Sequence, residues 1–140
     1  MLAAEAAAES PLWAEALRDD PEREPIFSTL ADERYALGLE TIYEGYLVHY
    51  GRSRLFAPVD SDTALLVGDY LYAHGLARVA AVGDLAAVAA LADLISTCSA
   101  LRAEGRPGDG EAWAATASSL GNPAAEAVAP ALAAHAERLG

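Results

Sequence analysis

Apolar positions recur along this chain three and four residues apart, and strict apolar–polar alternation is scarce. Alanine and leucine dominate where β-branched runs would signal strands. The pattern predicts an all-α, single-domain helical bundle of about five to six helices. A first helix is expected over residues 2–18, its stable part opening at Ser10-Pro11, a cap followed by a proline suited to the first turn. The charged connector RDDPEREP (18–25) ends it, because Pro21 and Pro25 disfavour helix before them. A second helix runs from Ser28 or Thr29 to about Tyr50. Its apolar stripe is Leu30, Tyr35, Leu37, Ile42, Tyr46 and Leu47. Gly51 and Pro58 mark the linker that follows.

A third helix begins at Ser61 or Asp62 and ends at Gly83, and Asp84 caps a fourth that reaches Gly105. So short a tie predicts an antiparallel hairpin. After the loop GRPGDG (105–110), a short helix is expected over about 111–120. Asn122-Pro123 should cap a last helix that reaches Leu139 with a kink at Pro130. The single domain thus divides into 1–25, 28–105 and 111–140.

The third and fourth helices are apolar on more than one face. In the fourth, Leu85, Val88, Leu91, Leu94, Ile95 and Leu101 cover most of the circumference. Such helices must be buried on all sides, and short neighbours can hardly enclose two of them. The surplus predicts a partner chain, another protein or a second copy.

Composition narrows the partner. The net charge is −12, with nine arginines and no lysine. So acidic a chain suits neither nucleic acid nor an anionic membrane, which both need a basic surface. No uninterrupted apolar run reaches the ~20 residues of a membrane span. Two glutamates in MLAAEAAAES argue against a secretory signal, and the lone Cys98 forms no internal disulfide, so a cytoplasmic setting is expected.

Chemical motifs are sparse. His49, His74 and His135 fall on three predicted helices with no ligand partner at i+3 or i+4, and read as surface or interface residues. Cys98 has no neighbouring base and reads as a buried structural thiol. GRPGDG lacks the Gly-Lys-Ser/Thr ending of a phosphate loop, and DDPERE (19–24) reads as a solvated charge run.

One stretch is distinctive. ALLVGDYLYAHGL, from Ala64, sets Gly68-Asp69 inside an apolar helix. Residues 65–73, LLVGDYLYA, resemble a helix of the trans-isoprenyl diphosphate synthases that reads small-apolar-Leu-x-Gly-Asp-aromatic-Leu and then a small residue. Gly83 and the Ala-rich helix after it extend the likeness over residues 28–105. In that family an Asp-Asp-x-x-Asp motif upstream holds Mg²⁺ for an allylic diphosphate. Counting back, the resemblance places Glu40 and Glu44 there, an i, i+4 acidic pair on one helix face, with Thr41 in place of the central aspartate. The basic run that follows the motif is reduced to HYGRSR (49–54), and the second aspartate-rich motif has no counterpart.

The resemblance therefore implies the non-catalytic small subunit of a two-component polyprenyl diphosphate synthase. Such a subunit stabilises a catalytic large subunit, which carries the Mg²⁺, and helps set product chain length. No cofactor is expected for this chain alone. The expected interface is Leu66, Val67, Asp69, Tyr70, Ala73, His74 and Ala77, with Leu91 and Leu94 opposite. Asp69 would be a satisfied polar group that fixes register. The alternative is a stand-alone homo-oligomeric interaction or apolar-ligand-binding module without enzymatic activity. A third possibility keeps Mg²⁺ on Glu40 and Glu44, with Asp60 and Asp62 the nearest further acids.

Overall fold

The computed structural model describes residues 24–58 and 60–139. The helix expected over 2–18, and the connector up to residue 23, lie outside them. Among the described residues the chain is all-α. Its five α-helices are α1 (Ala36–Tyr50), α2 (Ser61–Ala81), α3 (Leu85–Ala103), α4 (Asp109–Ser119) and α5 (Val128–Leu139).

The second expected helix starts later than the pattern suggested. Two 3₁₀ turns, Ser28–Leu30 and Glu33–Tyr35, precede α1. Ala31 is extended between them, and Asp32 accepts from the backbone N–H of Arg34 at 3.0 Å, a local bond that competes with helix. Caps set the later boundaries. Asp60, not Ser61 or Asp62, caps α2 by accepting from the Thr63 N–H at 2.7 Å. Asp84 caps α3 through the Ala87 N–H at 3.0 Å. Asn122-Pro123 caps nothing; a third 3₁₀ turn, Ala125–Ala127, leads into α5. Pro130 then falls in the first turn of α5, where its missing N–H costs no helical bond, so the sequence signal for a kink was an N-terminal signal instead.

The helix buried all round is α1. Gly38, Leu39 and every residue from Thr41 to Leu47 are inaccessible, whereas Leu37 is not. Around it lie Phe27, Leu91, Leu94, Cys98 and Trp113. Phe27 stacks on Trp113 at 5.6 Å, and Tyr43 meets Trp113 edge-on at 5.0 Å. Neither α2 nor α3 is enclosed by its neighbours, in keeping with the surplus of apolar surface expected from their composition; each buries one side and leaves alanines and leucines outside.

Most of α2's inner contact is with α1 rather than with its hairpin neighbour α3. The two helices run antiparallel on a seam of glycines. A Cβ added at Gly75 would lie 2.5 Å from Ile42 Cγ1 and 2.9 Å from the Gly38 carbonyl oxygen. One turn pair along, a Cβ at Gly45 would lie 3.0 Å from the Gly68 carbonyl oxygen. The backbones approach because no side chain stands between them.

Helix α3 spans 19 residues at a mean hydropathy of 1.5, long and apolar enough by length and composition to cross a bilayer. Its Leu91, Leu94 and Cys98 are instead packed in the core.

Candidate functional site

Three features of the folded chain concentrate polar or exposed apolar groups. The first is the outer side of α2 with the start of α3. Leu65 and Leu66 are 55% and 52% exposed, and Leu85 is 78% exposed. Ala73 and Ala77 continue the outward side of α2, and Ala86, Ala89 and Ala92 that of α3.

The expected interface residues divide across this surface. Leu66, Asp69, Ala73 and Ala77 face outward. Tyr70 is half-buried against Phe56, Val67 and Leu71, and its ring stacks on His74 at 5.3 Å. The Arg78 guanidinium donates to His74 Nε2 at 3.1 Å. Val67, Leu91 and Leu94 are corrected by the structure: they are buried in this chain's own core and offer no surface to a partner. Helical periodicity could not separate these from their neighbours, because both α2 and α3 are apolar around most of their circumference. Leu65 and Leu85, which the sequence argument passed over for the interface, are among the most exposed leucines.

Asp69 is no buried acid. Its side chain is 64% exposed and pairs with His49 Nε2 of α1 at 3.2 Å. The His49 ring lies directly over Gly68, where an added Cβ would come within 2.4 Å of it. The Gly-Asp pair thus works as a unit: the glycine clears room for an imidazole from α1, and the aspartate binds it.

The second feature is the acidic pair. Glu40 and Glu44 do share one face of α1, and Arg54 fills the space between them. Arg54 Nη1 donates to Glu40 at 2.6 Å and its Nε to Glu44 at 2.9 Å. Glu44, 1% exposed, also accepts from the Ser53 hydroxyl and from the backbone N–H groups of Arg54 (2.9 Å) and Leu55 (3.1 Å). Glu40 accepts from the N–H of Ser28 at 3.0 Å and of Ile26 at 3.2 Å. Burial works against the Arg54 charge, but the two glutamates outweigh it and hold its pKa above the ordinary value. The carboxylate oxygens are thus engaged by a resident cation and by backbone donors. Asp60 is engaged as a helix cap. Among the described residues, no group of three or more His, Cys, Asp or Glu is placed to hold a metal ion.

The third feature is a buried centre that joins four helices. Asp109 opens α4 and presents Oδ2 to three side chains. Tyr46 of α1 donates to it at 2.7 Å and Arg102 of α3 at 2.6 Å. His135 of α5 stands 3.2 Å away through Nε2. The other ring nitrogen, Nδ1, lies 2.7 Å from the Tyr43 hydroxyl. A carboxylate only accepts, so Nε2 carries the proton and Nδ1 accepts from Tyr43. Burial pushes the Asp109 carboxyl up, but the bonds from Tyr46 and Arg102 and the adjacent positive charge hold it below the usual range. Burial pushes both tyrosines up and, against the pull of Asp109, holds His135 below the ordinary histidine value. His135 is 4% exposed, and so is neither the surface nor the interface residue its sequence context suggested. Its partners lie 26 and 92 positions away, beyond any local motif. Cys98 is buried as expected, its thiol pushed up to about 12 by burial and by Asp109, which makes it a poor nucleophile.

A groove of about 630 Å³ runs between the first 3₁₀ turns, the start of α3 and the end of α4. Two of its polar groups bind each other: the Tyr35 hydroxyl donates to Asp84, which also caps α3.

Comparison with known proteins finds no matching family model, no curated relative and no similar solved structure.

Proposed function

We propose that this chain is a non-catalytic partner subunit that acts through the outer side of α2 and the start of α3. The partner we propose is the catalytic large subunit of a trans-polyprenyl diphosphate synthase, which would supply the aspartate-rich motifs and Mg²⁺. The observation that carries the reading is the exposure of Leu65, Leu66 and Leu85 on and beside the helix that bears LLVGDYLYA. Exposed leucines on an acidic protein favour association. Further support comes from Glu40 and Glu44, whose oxygens serve the Arg54 guanidinium and the backbone rather than a metal ion.

The test mixes the purified chain with the large-subunit candidate from its own genome and follows both co-elution and condensation of isopentenyl diphosphate with an allylic diphosphate. Activity and co-elution are expected only for the mixture. Two chains that neither co-elute nor alter each other's activity would remove the synthase assignment.

The same leucines support a second reading, a homo-oligomeric interaction module. In that case light scattering gives a dimer of the chain alone.

A further inference from the structure

We propose that His135 is an acid-sensitive latch that holds α5 on the bundle and lets it go when protonated. Arg102 and Asp109 form one ion pair at 2.6 Å, which leaves the centre neutral while the imidazole is neutral. Both ring nitrogens are satisfied in that state, one by Asp109 and one by Tyr43. A proton on Nδ1 adds a positive charge that no carboxylate among the described residues at the ring is placed to balance, since Asp109 already serves Arg102. It also turns the Tyr43 hydroxyl, 2.7 Å away, from donor to acceptor, so that its proton loses the ring nitrogen it served.

The surroundings do not absorb that charge. From α1 the ring meets Tyr43 and Tyr46, and from residues 24–35 it meets Phe27 at 5.4 Å. From α3 come Arg102, itself cationic, and the protonated Cys98 thiol. From α4 come Asp109 and, farther off, Glu111, whose attraction is outweighed by burial. The nearest loop cation, Arg54, lies over the Tyr43 ring at 5.3 Å with Glu40 and Glu44 bound to it. On α5 itself Arg138 donates to the Arg52 carbonyl oxygen at 3.1 Å, and its own carbonyl accepts from the Arg52 N–H at 2.9 Å. Release of α5 therefore also breaks both bonds that tie Arg52 to it, while Ser53, Arg54 and Leu55 stay bound to α1.

The experiment follows backbone amide exchange of the full chain between about pH 7.5 and about pH 5.5, corrected for intrinsic rates. Expected is at least about tenfold faster exchange in residues 128–139 at the lower pH, with under about threefold change in residues 36–50. His135→Gln keeps one acceptor and one donor but cannot titrate, so its α5 exchange should be independent of pH. Arg102→Gln leaves Asp109 free to balance an imidazolium, so the acid midpoint of α5 release should move down or vanish. Should either variant fail to fold, the wild-type imidazole resonances decide: His135 must titrate below its ordinary value of 6.5 and in step with α5 exchange. Flat α5 exchange across the window, an unchanged midpoint in Arg102→Gln, or His135 titrating at 6.5 or above with α5 still protected would each overturn the proposal.

Discussion

Arg54 shows what a single side chain does here. Its guanidinium is 6% exposed, binds Glu40 and Glu44, and also donates to the Glu24 carbonyl oxygen at 2.7 Å. Removing it strands a glutamate that has almost no access to water. Arg54→Met is expected to cost about 3–5 kcal/mol in urea unfolding, the usual penalty for breaking a buried pair. Arg54→Met with Glu44→Gln should recover a large part of that loss, because the uncompensated charge goes as well. A double variant no more stable than the single one would show that packing, not charge, dominates. The buried centre gives a pH signature with a definite sign. Burial depresses His135, so the unfolded chain takes up the proton first, and stability falls as pH drops below 6.5. Asp109 is also depressed, so a second loss begins only as pH falls through 3.8. Thermal melts against pH should show both steps, and His135→Gln should abolish the first alone.

At the scale of elements, sequence and structure agree where local chemistry decides. Asp84 as a cap, the loop at 105–110 and α4 after it follow from side-chain and turn preferences within a few residues. They part where tertiary contact decides. Composition marked the third and fourth helices as too apolar for their neighbours to enclose, but gave no sign that α1, with its glutamates, threonine and tyrosines, is the one buried all round. Its polar atoms are satisfied by residues such as Arg54, Asp109 and His135, whose roles depend on the fold itself. The seam between α1 and α2 makes its own prediction. Alanine is the better helix former by about 1 kcal/mol. At Gly75, however, its Cβ would strike Ile42 and the Gly38 backbone, and overpacking of that kind costs about 1–3 kcal/mol. Gly75→Ala should therefore lose up to about 2 kcal/mol in urea unfolding, and a more stable variant would show the seam to be loose.

For the whole molecule the governing facts are a net charge of −12 and the exposure of leucines on α2 and at the start of α3. Between residues 61 and 103 there are four acidic residues and two arginines, a charge-poor stretch in an acidic chain. Leu66→Asp places a charge there without disturbing the core. It should leave stability nearly unchanged, within about 0.5 kcal/mol, while weakening association with the proposed partner, whether a synthase subunit or a second copy, about tenfold or more. Association that survives the change would move the contact elsewhere. That the chain would be over-apolar for its size was legible in the sequence; which leucines carry the excess was not, because Val67 and Leu66 differ only in the side of α2 they occupy. The glycine seam sets one more limit on the molecule. Gly38 meets Gly75 and Gly45 meets Gly68, seven positions apart on each helix. Sliding α2 along α1 by a single turn would set Cβ atoms against backbone at both crossings. A slide of two turns would restore only one of them. The pair of helices therefore has one notch in which it locks, and errors of alignment are excluded by sterics before any side chain is consulted.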